Sequence, residues 1–152
     1  MTSSKKKSEQ REALQSSMRE AGCVAPADWV ASELSEDIPQ FARFLLLKGV
    51  HEIADDVDSA VAGGLWSNPD AERTWALLQA AVPPDALHSF LRAYAKAVGE
   101  SIVMLLDYGM GNDAPDDAPG WLLMETRDGE TTGRSIEGLH EDYPDFEKEY
   151  RR

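Results

Sequence analysis

The side chains best suited to chemistry in this chain are carboxylates, and they fall into three groups. Glu52, Asp55, Asp56 and Asp58 form the first. Three- and four-residue separations put Glu52, Asp55 and Asp56 on one helical face, where each like-charge pair costs roughly 0.2–0.5 kcal/mol. No lysine or arginine occurs between Lys48 and Arg73 to relieve them. Asp113, Asp116 and Asp117 form the second group, inside a stretch dominated by glycine, proline and aspartate. The third interleaves acids with aromatics near the C-terminus: Asp142, Tyr143, Asp145, Phe146, Glu149 and Tyr150. Tyr143, Phe146 and Tyr150 stand at i, i+3 and i+7, so one helical face can carry all three. Carboxylates steer a cationic partner toward them, and aromatics are enriched at the energetic centres of interfaces. Glu52, Asp55 and Asp56 of the first group, together with all six residues of the third, are therefore the expected partner-binding residues. The competing expectation is a solvated face at 52–58 and a tail that folds back so that its aromatics complete the core.

Catalytic arrangements fail on inspection. His51-Glu52-Ile53-Ala54-Asp55 begins like the zinc-protease pattern His-Glu-x-x-His, but Asp55 stands where the second zinc ligand belongs. The acids at 113–117 lack the alternating ligands, central glycine and closing glutamate of a calcium loop, and prolines stand at 115 and 119. Gly99-Glu100-Ser101-Ile102-Val103 lacks the second glycine of a hydrolase elbow. Gly109-Met110-Gly111 is followed by Asn112-Asp113, with no third glycine or lysine to cradle a phosphate. The lone cysteine, Cys23, has no neighbouring base to activate it. No catalytic residue and no cofactor is therefore expected. The enzyme alternative is a metal-dependent one that uses the acidic loop at 113–117 together with His140.

Charge sets the class of partner. The formal net charge is −13 over 152 residues. Residues 1–50 hold seven acids and seven bases, while residues 51–152 hold twenty-one acids and eight bases. That distribution repels nucleic acid and anionic membrane and favours a basic protein partner. No apolar run approaches the ~18 residues of a membrane span, and the basic start at Lys5-Lys6-Lys7 is followed by no apolar stretch. The expected location is the cytoplasm.

The elements that must position these groups follow from periodicity. Residues 1–7 are expected as a flexible basic tail ahead of a single acidic helical domain over 8–152. A polar helix is expected from Ser8 to about Ala21, stopped by Gly22. Pro26 suits a helix start, and Ser35 looks like the N-cap of a buried helix that ends at Gly49. A second core helix is expected over 50–62, with Val50, Ile53, Ala54, Val57 and Val61 on one face. Asn68-Pro69 restarts the chain. The stripe Leu87, Phe90, Leu91, Tyr94, Val98, Ile102 and Leu105 predicts a long helix over 85–107, with Gly99 inside it. Asp128-Gly129 between two extended runs predicts a hairpin.

The fold class that results is mainly α: an irregular bundle of about five helices with a small C-terminal β-hairpin. In size, sign of charge and absence of a catalytic motif, the chain resembles in kind the small acidic immunity and inhibitor proteins with which bacteria neutralise toxins. That resemblance implies a non-enzymatic protein that occludes a basic surface on a toxin or effector enzyme. A structural homo-oligomer subunit is the further alternative.

Overall fold

The computed structural model describes residues 2–110 and 115–150; Asp113 of the acidic loop lies outside them. The protein is mainly helical, with seven α-helices among the described residues and one antiparallel hairpin near the C-terminus. The chain divides into two compact units, Met1–Lys48 with Val103–Arg152, and Gly49–Ile102.

In the first unit, helix α1 spans Thr2–Glu20 and so includes residues 2–7 of the expected tail. Lysine, serine and glutamate tolerate a helix well, and Lys5 lies one turn from Glu9 at 3.9 Å. The helix stops at Gly22, whose φ of 98° is open to glycine at little cost. Gly22 N donates to Arg19 O and Cys23 N donates to Met18 O, the paired bonds of a Schellman ending. Helix α2 spans Pro26–Glu36, with its proline where the missing N–H is harmless.

Ser35 is not an N-cap. It lies in the last turn of α2 and its hydroxyl donates to Ala31 O at 2.8 Å. Asp37 then turns the chain with a left-handed φ of 57°, and helix α3 starts at Gln40, just after Pro39. Proline pushes the residue before it toward extended backbone, which moves the helix start past Ile38.

The C-terminal hairpin pairs β1 (Met124–Arg127) with β2 (Glu130–Ser135). Asp128 and Gly129 both take positive φ, 53° and 85°, as a two-residue turn matched to strand twist requires. Helix α7 (Leu139–Asp142) and a 3-10 segment (Tyr143–Lys148) complete the unit.

The last segment folds back. Cys23 and Tyr150 form an isolated antiparallel bridge, and Val24 N donates to Glu149 O at 2.8 Å. This places Phe146 against Phe44 (ring centroids 5.4 Å apart), Trp29 (6.1 Å) and Tyr150 (5.3 Å). Phe146, Phe44, Met18, Val30 and Leu139 have no exposed surface. Edge-on and offset aromatic contacts of this kind add to the benefit of burial.

In the second unit, α3 does not end at Gly49 but continues from Gln40 to Asp55. A side chain at Gly49 would meet nothing within 4 Å, so this glycine is an ordinary helix-interior residue costing about 1 kcal/mol against alanine. The break comes at Asp56, whose carboxylate accepts from Ser59 N and caps helix α4, Val57–Ser67. A 3-10 turn at Pro69–Ala71 leads to α5 (Glu72–Ala81), and α6 runs from Pro84 to Tyr108. Among the described residues no helix is long and apolar enough to cross a membrane.

Candidate protein-binding face

The acidic group at 52–58 is not the unrelieved charge face that local sequence predicts. Asp55 accepts from Arg92 Nε at 2.7 Å, and Lys96 Nζ lies 3.2 Å from the same oxygen. Arg92 and Lys96 are four residues apart on α6, so they reach Asp55 from one face of that helix. Burial alone would raise the Asp55 carboxyl, but the hydrogen bonds from Lys96 and Arg92 more than offset it and hold it below the usual carboxylate range. Lys96 also donates to Nδ1 of His51, a buried ring. Asp56 is occupied as the α4 cap. The expected docking triad therefore separates into one structural ion pair, one helix cap and the exposed Glu52.

What the second unit presents beside these acids is apolar. A groove of about 440 Å³ lies between α3, α4 and α6. Its twelve lining residues carry no charge, and they include Ile53, Val57, Val61, Tyr94, Val98 and Ile102. Ile53 is 73% exposed and Tyr94 62%, and Phe90, one turn before Tyr94, is 68% exposed. Helices α4 and α5 bury one residue between them, Val57, and leave Trp66 88% exposed. Single exposed apolar residues are ordinary, but a contiguous apolar groove on a free surface marks an interaction site. The exposed acids Glu52, Asp56, Asp58 and Glu100 stand next in sequence to the lining residues Ile53, Val57 and Gly99. An apolar centre with a charged margin is the usual anatomy of a protein interface.

The C-terminal residues do not assemble a second such face. Tyr143, Phe146 and Tyr150 are 3%, 0% and 4% exposed, so they are core and not surface anchors. Asp142 accepts from Arg43 at 2.7 Å. Burial still pushes its carboxyl above the usual range, with Glu141 and Glu149 adding to the effect against the pull of Arg43. Glu149 accepts from the Trp29 indole at 3.2 Å. Asp145 pairs with Lys148 on the surface. The aromatics and most of the acids thus fasten the chain end to α2 and α3.

Sequence reasoning missed the arginines. Arg134 donates through two nitrogens to Glu125 at 2.7–2.9 Å and reaches Glu33 at 3.2 Å. Glu33 also accepts from Phe41 N at 2.8 Å, so it caps the start of α3 from α2. Burial alone would raise Glu125, yet the bonds from Arg134 and Thr132 hold it below the usual carboxylate range. No local pattern announces partners 9 and 101 positions apart.

Among the described residues His140 is not joined to the acidic loop. Its backbone N and its ring Nδ1 both contact Asp107 Oδ2 at 2.7 Å. Asp116 and Asp117 are exposed in a turn, and among the described residues no group of three or more His, Cys, Asp or Glu side chains is placed to hold a metal. No family model, curated protein or solved structure matches the chain.

Proposed function

We propose that the chain is a non-enzymatic binding protein that covers a basic surface on a partner protein. The apolar face of a partner helix would lie in the groove between α3, α4 and α6. The observation that carries this reading is the groove itself, uncharged, almost wholly apolar in lining, and open. An amphipathic helix laid in such a groove is a recurring mode of recognition, read through anchors at i, i+3, i+4 and i+7.

Charge selects among occupants. The second unit holds eight acids and three bases, and two of those bases, Arg92 and Lys96, are engaged by Asp55. A second copy would bring the same acidic margin against this one, whereas a helix flanked by lysine or arginine would complement it. The chain's size and acidity fit the small immunity and inhibitor proteins, so a basic toxin or effector enzyme is the kind of partner proposed.

The test uses two designed helical peptides with leucine on one face, one with lysine and one with glutamate on the other. Trp fluorescence and calorimetry should show that the Leu/Lys peptide binds and the Leu/Glu peptide does not. Val98→Asp should weaken binding at least tenfold, as loss of a central apolar contact does. Glu52→Lys, Asp58→Lys and Glu100→Lys together should slow association, with the effect shrinking as salt rises. Absence of Leu/Lys binding would overturn the proposal. So would binding indifferent to Val98→Asp, or sedimentation showing a dimer that Val98→Asp dissociates.

A further inference from the structure

The first unit contains a separate cleft of about 1260 Å³. Its architecture begins at two glycines. Trp121 N donates to Gly109 O at 2.7 Å, and a Cβ on Gly109 or Gly120 would meet backbone oxygen at 2.7 or 2.6 Å. Only glycine permits this approach, and it brings Tyr108 and Trp121 to neighbouring positions on the cleft lining. Both rings stay accessible, Tyr108 57% and Trp121 39% exposed. Tyr108 also stacks on His140, with the ring planes 27° apart.

The polar lining is dominated by acceptors. Asp107 is 4% exposed at its side chain. Its Oδ2 takes both bonds from His140, and its Oδ1 is buried with no hydrogen-bond partner among the described residues. Asp37, Glu137 and Glu141 add exposed carboxylates. Four carboxylates thus line the cleft against two guanidiniums, those of Arg43 and Arg134. Arg43 is already held by Asp142, outside the lining, and Arg134 by Glu33 and Glu125, outside it, with Asp37 of the lining 3.6 Å away. Among the described residues the cleft therefore holds no further lysine or arginine for the carboxylates that remain.

We propose that this cleft binds a guanidinium on an apolar stem, supplied by a small molecule or by an exposed arginine side chain. A planar cation with five N–H donors suits two accessible aromatic rings and several acceptors better than a compact ammonium does. The rim carboxylates would take its N–H donors and neutralise its charge, and the rings of Tyr108 and Trp121 would cover the flat faces.

The experiment titrates agmatine, a capped Gly-Arg-Gly peptide and n-butylamine into the protein, followed by calorimetry and by the Trp121 indole resonance. Agmatine should bind, and n-butylamine should bind more weakly. Trp121→Ala should weaken agmatine about two- to fivefold, the range for an accessible cation–π contact. Glu141→Gln, at an exposed position that leaves the fold intact, should weaken it by a similar factor. If the peptide binds as tightly as agmatine, an arginine side chain is the source; if only agmatine binds, a small molecule is. No response to either probe up to about 10 mM, equal binding of n-butylamine, or agmatine binding unchanged in both variants would overturn the proposal. None of these outcomes depends on the α3–α4–α6 groove.

Discussion

Two stretches of this chain carry aromatics at helical spacing and end in opposite environments. In the first unit Tyr143, Phe146 and Tyr150 stand at i, i+3 and i+7 and are almost wholly buried. In the second, Phe90 and Tyr94, continued by Val98 and Ile102, stand at i, i+4, i+8 and i+12 and are 68%, 62%, 40% and 48% exposed. Their sequence surroundings would suggest the reverse, since the buried run is interleaved with five carboxylates between 141 and 149 and the exposed run contains none from 86 to 99. The difference lies in what returns to cover each run. The bridge between Cys23 and Tyr150 closes the first run against Trp29 and Phe44. The groove of the second unit is left open between α3, α4 and α6. Periodicity fixes which face of a segment is apolar; a distant contact decides whether that face is core or interface.

The largest effect that would break the comparison is on stability. Phe146→Ala should destabilise the free protein by about 3–5 kcal/mol, the cost of removing a fully buried aromatic ring. Phe90→Ala should change it by less than about 0.5 kcal/mol, as surface substitutions do. Urea unfolding of both variants checks the pair. A cost for Phe90→Ala close to that of Phe146→Ala would mean that the stripe is covered in the free chain, and the groove would lose its claim as a docking face.

What was legible in the sequence divides along the same line. The α6 stripe, the Gly22 stop, the Pro26 start and the Asp128-Gly129 turn depend on neighbours within a few residues, and each was readable. The break at Asp56 was masked because Val50, Ile53, Ala54, Val57 and Val61 keep helical spacing across it. The usable signal is an aspartate three residues before Ser59, a capping arrangement that in local sequence also reads as part of an acidic face. Gly49 misled in the other direction, since a glycine with free space around it stops nothing. The relief of Asp55 by Arg92 and Lys96 and the capture of Asp142 by Arg43 join residues 37, 41 and 99 positions apart. Such partners follow from packing, and no window of local sequence contains them. The acidic patches were therefore legible as composition, but not as the ion pairs and caps that several of their members form.

A smaller effect contrasts the polar networks of the two units. Glu125→Ala removes the main partner of Arg134, whose side chain is 18% exposed, and leaves a largely buried guanidinium with Glu33 and the more distant Asp37. The expected cost is about 2–3 kcal/mol, somewhat under that of breaking a fully buried pair. Asp55→Asn keeps the shape and one acceptor for Arg92 and Lys96, and should cost about 1–2 kcal/mol. Thermal melts at neutral pH order the two. If Asp55→Asn proves the more damaging, the second unit depends on its ion pair more than the first depends on the link from hairpin to helix.

The smallest effect is in pH dependence, and it sharpens the comparison because the two units should respond with opposite sign. The folded protein holds Asp55 below the usual carboxylate range, through Lys96 and Arg92 acting against burial. Its contribution to stability is complete above the ordinary carboxylate pKa and is lost as pH falls through the lower, folded value. Asp142 is held above the usual range, because burial outweighs the attraction of Arg43. Its charged form therefore costs stability above the folded value, and that cost is relieved as pH falls from there into the ordinary carboxylate range. The measurement is the melting-temperature difference between wild type and Asp55→Asn, and between wild type and Asp142→Asn, from pH 7 downward. On acidification the wild type should first gain on Asp142→Asn, above the ordinary range, and then lose its advantage over Asp55→Asn, below it. Two curves of the same slope would mean that the Arg43 pair outweighs burial, and that the first unit encloses its chain end less tightly than the packing of Phe146 and Tyr150 implies.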